Sequence, residues 1–204
     1  MIELLGIISG LLTILVYVVY LDQTRKGAST PNPATWLIWL TAGAINVFTY
    51  LQLPEIKGDL FKAAAIITSN SCIGLFFIYS LIKGKFAKLT RIETVALIGA
   101  VIVGVFWKTS QDPRKANLLL QIIYLISFYP TITGLLRKKM REGWLAWAIG
   151  ASAYVFSTAS IAIDFKGDWT ALAYPIVIGI CGNGSVAIIA FIQHQEEIRE
   201  RKQL

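Results

Sequence analysis

Apolar positions in this chain neither alternate with polar ones nor recur only at every third or fourth place. They fill whole runs of about 18 to 24 residues separated by short polar stretches. A hydrocarbon core roughly 30 Å thick takes about 20 helical residues to cross. In lipid the backbone must satisfy its own hydrogen bonds, so unbroken apolar runs predict helices and not barrel strands. The runs predict seven spans, at about 4–21, 34–53, 60–82, 94–107, 117–136, 144–163 and 169–193. The fourth is expected to be the shortest, and residues 196–204 are expected to form a polar tail.

Part of the pattern is written twice. Trp36 and Trp39 recur as Trp144 and Trp147, and Phe48 as Phe156, each 108 positions on. Lys57-Gly58-Asp59 recurs as Lys166-Gly167-Asp168, and Cys72 as Cys181, 109 positions on. A near-constant offset argues for one unit repeated. The expected organisation is a first three-helix unit (1–83), a linker region holding span four (84–115), a second three-helix unit (116–195) and the tail. An odd number of spans between the units would make them enter the membrane the same way up, as parallel repeats.

Composition agrees with the runs: 55% of residues are hydrophobic and 15% charged, with a mean hydropathy of +0.62. The net charge of +7 changes the picture through its distribution. Most of the 19 basic residues fall after spans one, three and five and in the tail: Arg25, Lys26, Lys83, Lys85, Lys88, Arg91, Arg137, Lys138, Lys139, Arg141, Arg199, Arg201 and Lys202. By the positive-inside rule that face is cytoplasmic, so the N-terminus is expected outside and the C-terminus inside, in a bacterial inner membrane. This reads as an orientation signal and not a nucleic-acid surface. The first run lacks a basic n-region and a cleavage signature, so it is read as a retained span.

The arrangement resembles the PQ-loop superfamily, which includes the SWEET sugar transporters, and is most similar to small bacterial PQ-loop-like proteins. The residues that carry the resemblance are Tyr129-Pro130-Thr131, the basic loop after it and Trp144-x-x-Trp147 in the second copy. In the first copy they are Tyr20-Leu21-Asp22-Gln23 and Thr35-Trp36-Leu37-Ile38-Trp39. Copy two has Pro-Thr where the superfamily motif has Pro-Gln, and copy one carries its glutamine only at Gln23. The resemblance implies an all-α SWEET-like 3+1+3 fold. It implies alternating-access passage of a small neutral polar solute (a sugar, nucleoside, vitamin or amino acid) through a cavity between the units. The same fold also serves membrane receptors and scaffolds, which are the alternative reading.

Polar residues at mid-membrane depth are the candidates for solute contact, because each must face a cavity or another helix. Asn70 and Asn183 are carried over from the resemblance by helix and depth. Asn46 and Tyr154 are expected as side walls, and Trp39 and Trp147 as floor or gate residues. Trp36 and Trp144 are read as interfacial belt residues. Pro130 is the hinge candidate, because a proline inside a helix removes a donor and frees a carbonyl; Tyr129 and Tyr20 accompany it. Asp22 is the one candidate for ion coupling.

No enzyme is expected. The single histidine, His194, lies at the end of span seven, and no HExxH, nucleophile elbow or metal-spaced cluster occurs. Nor does span seven hold the lysine a retinal photoreceptor needs. No cofactor or metal is expected, and homo-oligomerisation is left open.

Overall fold

The computed structural model describes residues 1–29, 33–83 and 89–203 of the chain. Pro31, Asn32, Lys85 and Lys88, together with the Lys83 side chain, lie outside the described residues.

The described residues are helical, without strands. The helices are α1 (Ile2–Arg25), α2 (Pro33–Tyr50), α3 (Ala64–Lys83), α4 (Arg91–Ser110), α5 (Pro113–Leu136), α6 (Trp144–Ala162) and α7 (Thr170–Arg201). Six of them are long and apolar enough to cross a membrane, all except α2. Large apolar side chains stand exposed on their outer faces, Leu11, Leu75, Ile102, Ile122 and Ile188 among them. In water such a surface would be a liability; against lipid tails it is the expected one. The chain has the helices of an integral membrane protein.

Helix ends follow local chemistry more closely than the apolar runs do. The helix of span four is not the shortest; its 20 residues exceed the 18 of α2. Thr90 and Glu93 form a capping box that starts α4 before its apolar run begins. Gln111, in the left-handed conformation, ends it. Asp112 then caps α5, with Pro113 at its first turn. The tail is helical and continuous with α7 to Arg201. Its Glu196 pairs with Lys138 at 2.9 Å and its Glu197 with Arg141 at 3.4 Å. These partners across the loop explain why a polar run stays helical.

Within α7, an initial α-helical turn (Thr170–Ala173) gives way to a π-helical stretch (Tyr174–Gly182) before Asn183–Arg201 returns to α. Nine residues of π-helix are unusual, since the form mostly appears as single turns at functional sites.

The helices pack as a ring in the order α1, α3, α2, α5, α7, α6 and back to α1, with α4 outside against α2 and α5. Small residues on α1 allow close packing: Gly6 and Gly10 face Phe61 and Ala64 around the start of α3, and Ser9 faces α6. Ser9 Oγ donates across the seam to the Ala153 carbonyl at 2.8 Å. Such interhelical bonds contribute roughly 0.6 kcal/mol each in a membrane.

One face of the ring holds Met1 and the loops after α2, α4 and α6. There the buried Glu55 carboxylate accepts the backbone N–H groups of Lys166 (2.6 Å) and Asp168 (3.0 Å), and the buried Lys62 ammonium reaches the Asp164 carbonyl at 3.2 Å. The opposite, basic face holds the ends of α1, α5 and α7.

Candidate functional site

A cavity of about 60 Å³ lies at the centre of the ring, and all six ring helices line it: Thr13, Val16 and Tyr17 (α1), Trp39 (α2), Ser69 and Ile73 (α3), Tyr124 and Phe128 (α5), Gly150 and Tyr154 (α6), and Tyr174, Ile178 and Asn183 (α7). It has room for a few waters and is too small for a hexose as it stands.

Its polar lining is hydroxyl and carboxamide. Tyr17 Oη and Ser69 Oγ share a hydrogen bond of 2.9 Å, and the Tyr154 and Tyr174 hydroxyls one of 3.1 Å. Among the described residues, no carboxylate, amine, guanidinium or imidazole lines it. Groups that both donate and accept suit a neutral polar solute.

Aromatic side chains flank the lining toward both faces. Toward the Met1 face, Tyr50 lies edge-on to Tyr174 and its hydroxyl donates to the Ala171 carbonyl at 2.8 Å. Toward the basic face, the indoles of Trp39 and Trp147 meet edge to face with centroids 5.9 Å apart. Trp39 Nε1 donates to Ser127 Oγ at 2.7 Å, and Phe128 packs against both rings.

Beyond that pair a narrow aromatic seam continues through Tyr20 and Trp36. It ends at Glu142, in the loop between α5 and α6. The carboxylate is 8% exposed. Trp147 Nε1 donates to it at 3.1 Å and the Tyr20 hydroxyl at 3.3 Å. The Ser29 hydroxyl also bonds to it, while accepting the Gly143 N–H at 2.9 Å. Burial pushes the Glu142 carboxyl up to about 7, against the opposing pull of these donors.

The sequence candidates separate on this geometry. Asn183, Tyr154 and Trp39 line the cavity. The Asn183 amide also donates to the Gly179 carbonyl at 2.8 Å, closing the π-helical stretch. Trp147 lies in the seam below. Asn70 does not reach the cavity, although its neighbour Ser69 does. Its carboxamide packs on Gly43 of α2, with Oδ1 buried and without a hydrogen-bond partner.

Asn46 is fully buried at the α2–α5 seam, where its Oδ1 accepts Asn117 Nδ2 at 2.6 Å. It is therefore glue between helices and not a wall beside Tyr154. Trp36 is a correction of the belt reading: it is 5% exposed, enclosed by Tyr20, Trp39 and Phe76. Trp144 is half-buried, edge-on to Phe191.

Pro130 lies inside α5, which continues past it to Leu136. Tyr129 beside it is 51% exposed and turned away from the cavity, whereas Tyr20 is buried against Glu142. Asp22 is exposed and pairs with Lys26 at 2.7 Å, so it is no membrane-buried acid.

The residues that sequence reasoning missed are Tyr17, Ser69, Tyr124 and Tyr174 in the cavity, and Glu142 below it. The tyrosines sit within apolar runs at a depth where only the packing says which way they face. Glu142 had one signal: an acid directly before Gly143 and the Trp144-x-x-Trp147 pair, at the amino end of a helix. No protein family, curated protein or solved structure matches the chain.

Proposed function

We propose that the chain is a SWEET-like transporter, passing a small neutral polar solute through the ring by alternating access. The observation that carries this reading is the central cavity: hydroxyl-rich, free of fixed charge among the described residues, lined by all six ring helices and narrowed toward the basic face where Trp39 meets Trp147.

Two further observations support the repeat on which rocking depends. Exchanging α1 with α5, α2 with α6 and α3 with α7 leaves the cyclic packing order unchanged, as a two-fold axis along the membrane normal requires. The duplicated Lys-Gly-Asp loops also share a conformation. Gly58 and Gly167 both take positive φ, 84° and 103°, and each following aspartate accepts a backbone N–H two residues on. On this reading residues 1–83 and 116–195 are the moving units, α4 is the linker and Pro130 is the hinge. The basic face is cytoplasmic, placing the N-terminus outside in a bacterial inner membrane.

The test is uptake into proteoliposomes, offered sugars, nucleosides, vitamins and amino acids in parallel. Gly150→Val should abolish uptake of the best solute, because the glycine lines the cavity and an added Cβ already lies 3.4 Å from Asn183 Cγ. Absence of uptake above protein-free liposomes for every solute class would overturn the proposal.

A further inference from the structure

We infer that Glu142 is a proton-binding site that latches the basic-face gate: the aromatic seam stays shut while the carboxyl holds a proton and loosens when it loses it. The inference rests on the transport reading above and adds a ligand, the proton, at a site outside the solute cavity.

The geometry is that of a gate bolt. Glu142 belongs to a loop between α5 and α6 yet ties α1, through Tyr20 and the Ser29 segment, to α6, through Trp147. Trp147 is itself one leaf of the closure over the cavity. Gly143 lets the loop approach α1 closely, since a Cβ there would displace the end of the Gln23 side chain. On its outer side Glu142 borders a cleft of about 270 Å³ on the basic face, which gives protons a route from solvent. Any motion that parts α1 from α6 at this end must break the Tyr20 bond to Glu142 and the Gly143–Ser29 bond, and so wet the carboxyl.

The charged and titratable groups around it are few. From α1 come Tyr20 and Lys26, the latter paired with Asp22. From its own loop comes Arg141, paired with Glu197 of α7. From α7 come also His194 and Arg201. α2, α5 and α6 present only neutral side chains, chiefly Thr35, Trp36, Thr131, Trp144 and Trp147. Among the described residues, His194 is the histidine that borders this cleft.

The sign follows from linkage. Shut, the carboxyl titrates at about 7; open and hydrated, it returns to the ordinary value of about 4.3. The shut state therefore binds the proton more tightly. Its advantage is complete below the open-state value and is lost as pH rises to about 7. Each pH unit inside that window changes the shut-to-open ratio about tenfold, with a ceiling of a few hundredfold.

The test uses the full chain with Cys72→Ala, Cys181→Ala and a reporter Ile178→Cys in the cavity wall, labelled with a maleimide between about pH 5.5 and about pH 8.5. The rate is read as a ratio to the same chain carrying Glu142→Gln, which cancels the intrinsic pH dependence of the thiol. The expected ratio rises at least about tenfold with a midpoint near pH 7, and His194→Gln leaves it unchanged. Infrared difference spectra should show a carboxylic-acid band that disappears over the same pH range and is absent in Glu142→Gln. That measurement stands even if the glutamine variant folds poorly, because the unmodified chain must show the band.

A flat ratio, a band titrating in the ordinary carboxylate range, or transfer of the effect to His194 would each overturn the inference. Proteoliposome uptake separates the two readings. A ratio that turns over near pH 7 with no uptake of any solute keeps the latch and removes the transporter. Uptake with a flat ratio does the reverse.

Discussion

Residues that recur along the sequence at an offset of 108 or 109 positions have met different surroundings in the ring. Tyr20 is buried against Glu142, while Tyr129, its counterpart 109 positions on, is 51% exposed on the outer surface. Trp36 is enclosed and Trp144 half-buried. Trp39 and Trp147 meet each other, yet one donates to a serine hydroxyl and the other to a carboxylate. The duplicated Lys-Gly-Asp turns, by contrast, keep their conformation. The difference teaches that a repeat transmits what is local, a turn or a helix position. What surrounds a side chain is set by the helices packed against it and by local features such as the π-helical stretch, which α3 does not share.

Substitutions in matched pairs sharpen that contrast. The largest effect is expected from Gly179→Ala, whose Cβ would run into the base of the Tyr154 ring, against Gly43→Ala, whose Cβ would meet the carboxamide of Asn70. The ring cannot yield and the amide can rotate. Thermal unfolding in detergent should show a loss of about 1–3 kcal/mol for the first and clearly less for the second.

Next comes Asn183→Ala, expected to lower uptake about tenfold, equivalent to about 1.4 kcal/mol, while Asn70→Ala changes it less than about twofold. Equal losses would place both asparagines at the solute and undo the distinction drawn between them.

Tyr20→Phe removes one donor from Glu142, which should cost about 1 kcal/mol in stability. It should also move the pH midpoint of gate labelling upward, because a carboxylate that loses a donor holds its proton to higher pH. Tyr129→Phe should do neither. The smallest effect is expected from Asp22→Asn: an exposed pair with Lys26 is worth well under about 1 kcal/mol, and the pH profile of uptake should be unaltered.

The sequence was most legible where lipid imposed the rules. Long apolar runs located every helix, and capping signals such as Thr90 with Glu93 and Asp112 before Pro113 could have sharpened the ends. The site was legible in part. Asn183, Tyr154, Trp39 and Trp147 were found because polar or bulky residues in an apolar run must be accounted for. Asn70 and Asn46 met the same criterion but answer to neighbouring helices, and depth alone cannot tell a seam from a cavity. Glu142 reads in the sequence as an acid at a helix end, outside any span; only the return of its loop beneath Tyr20 buries it. Asp22, at the end of an apolar run, was the candidate for ion coupling, and its exposure and pairing with Lys26 make it no membrane-buried acid.

The widened winding of Tyr174–Gly182 makes chain length there a functional quantity. An ordinary α-helix turns about 100° per residue and the wider π winding turns less, so relaxing the stretch to ordinary winding with all its residues kept would spin everything after it through roughly one residue's turn. Asn183 would then swing off the cavity wall, and Glu196 and Glu197 would lose Lys138 and Arg141 in the same rotation. The phase of one helix thus fixes two distant pieces of the molecule at once.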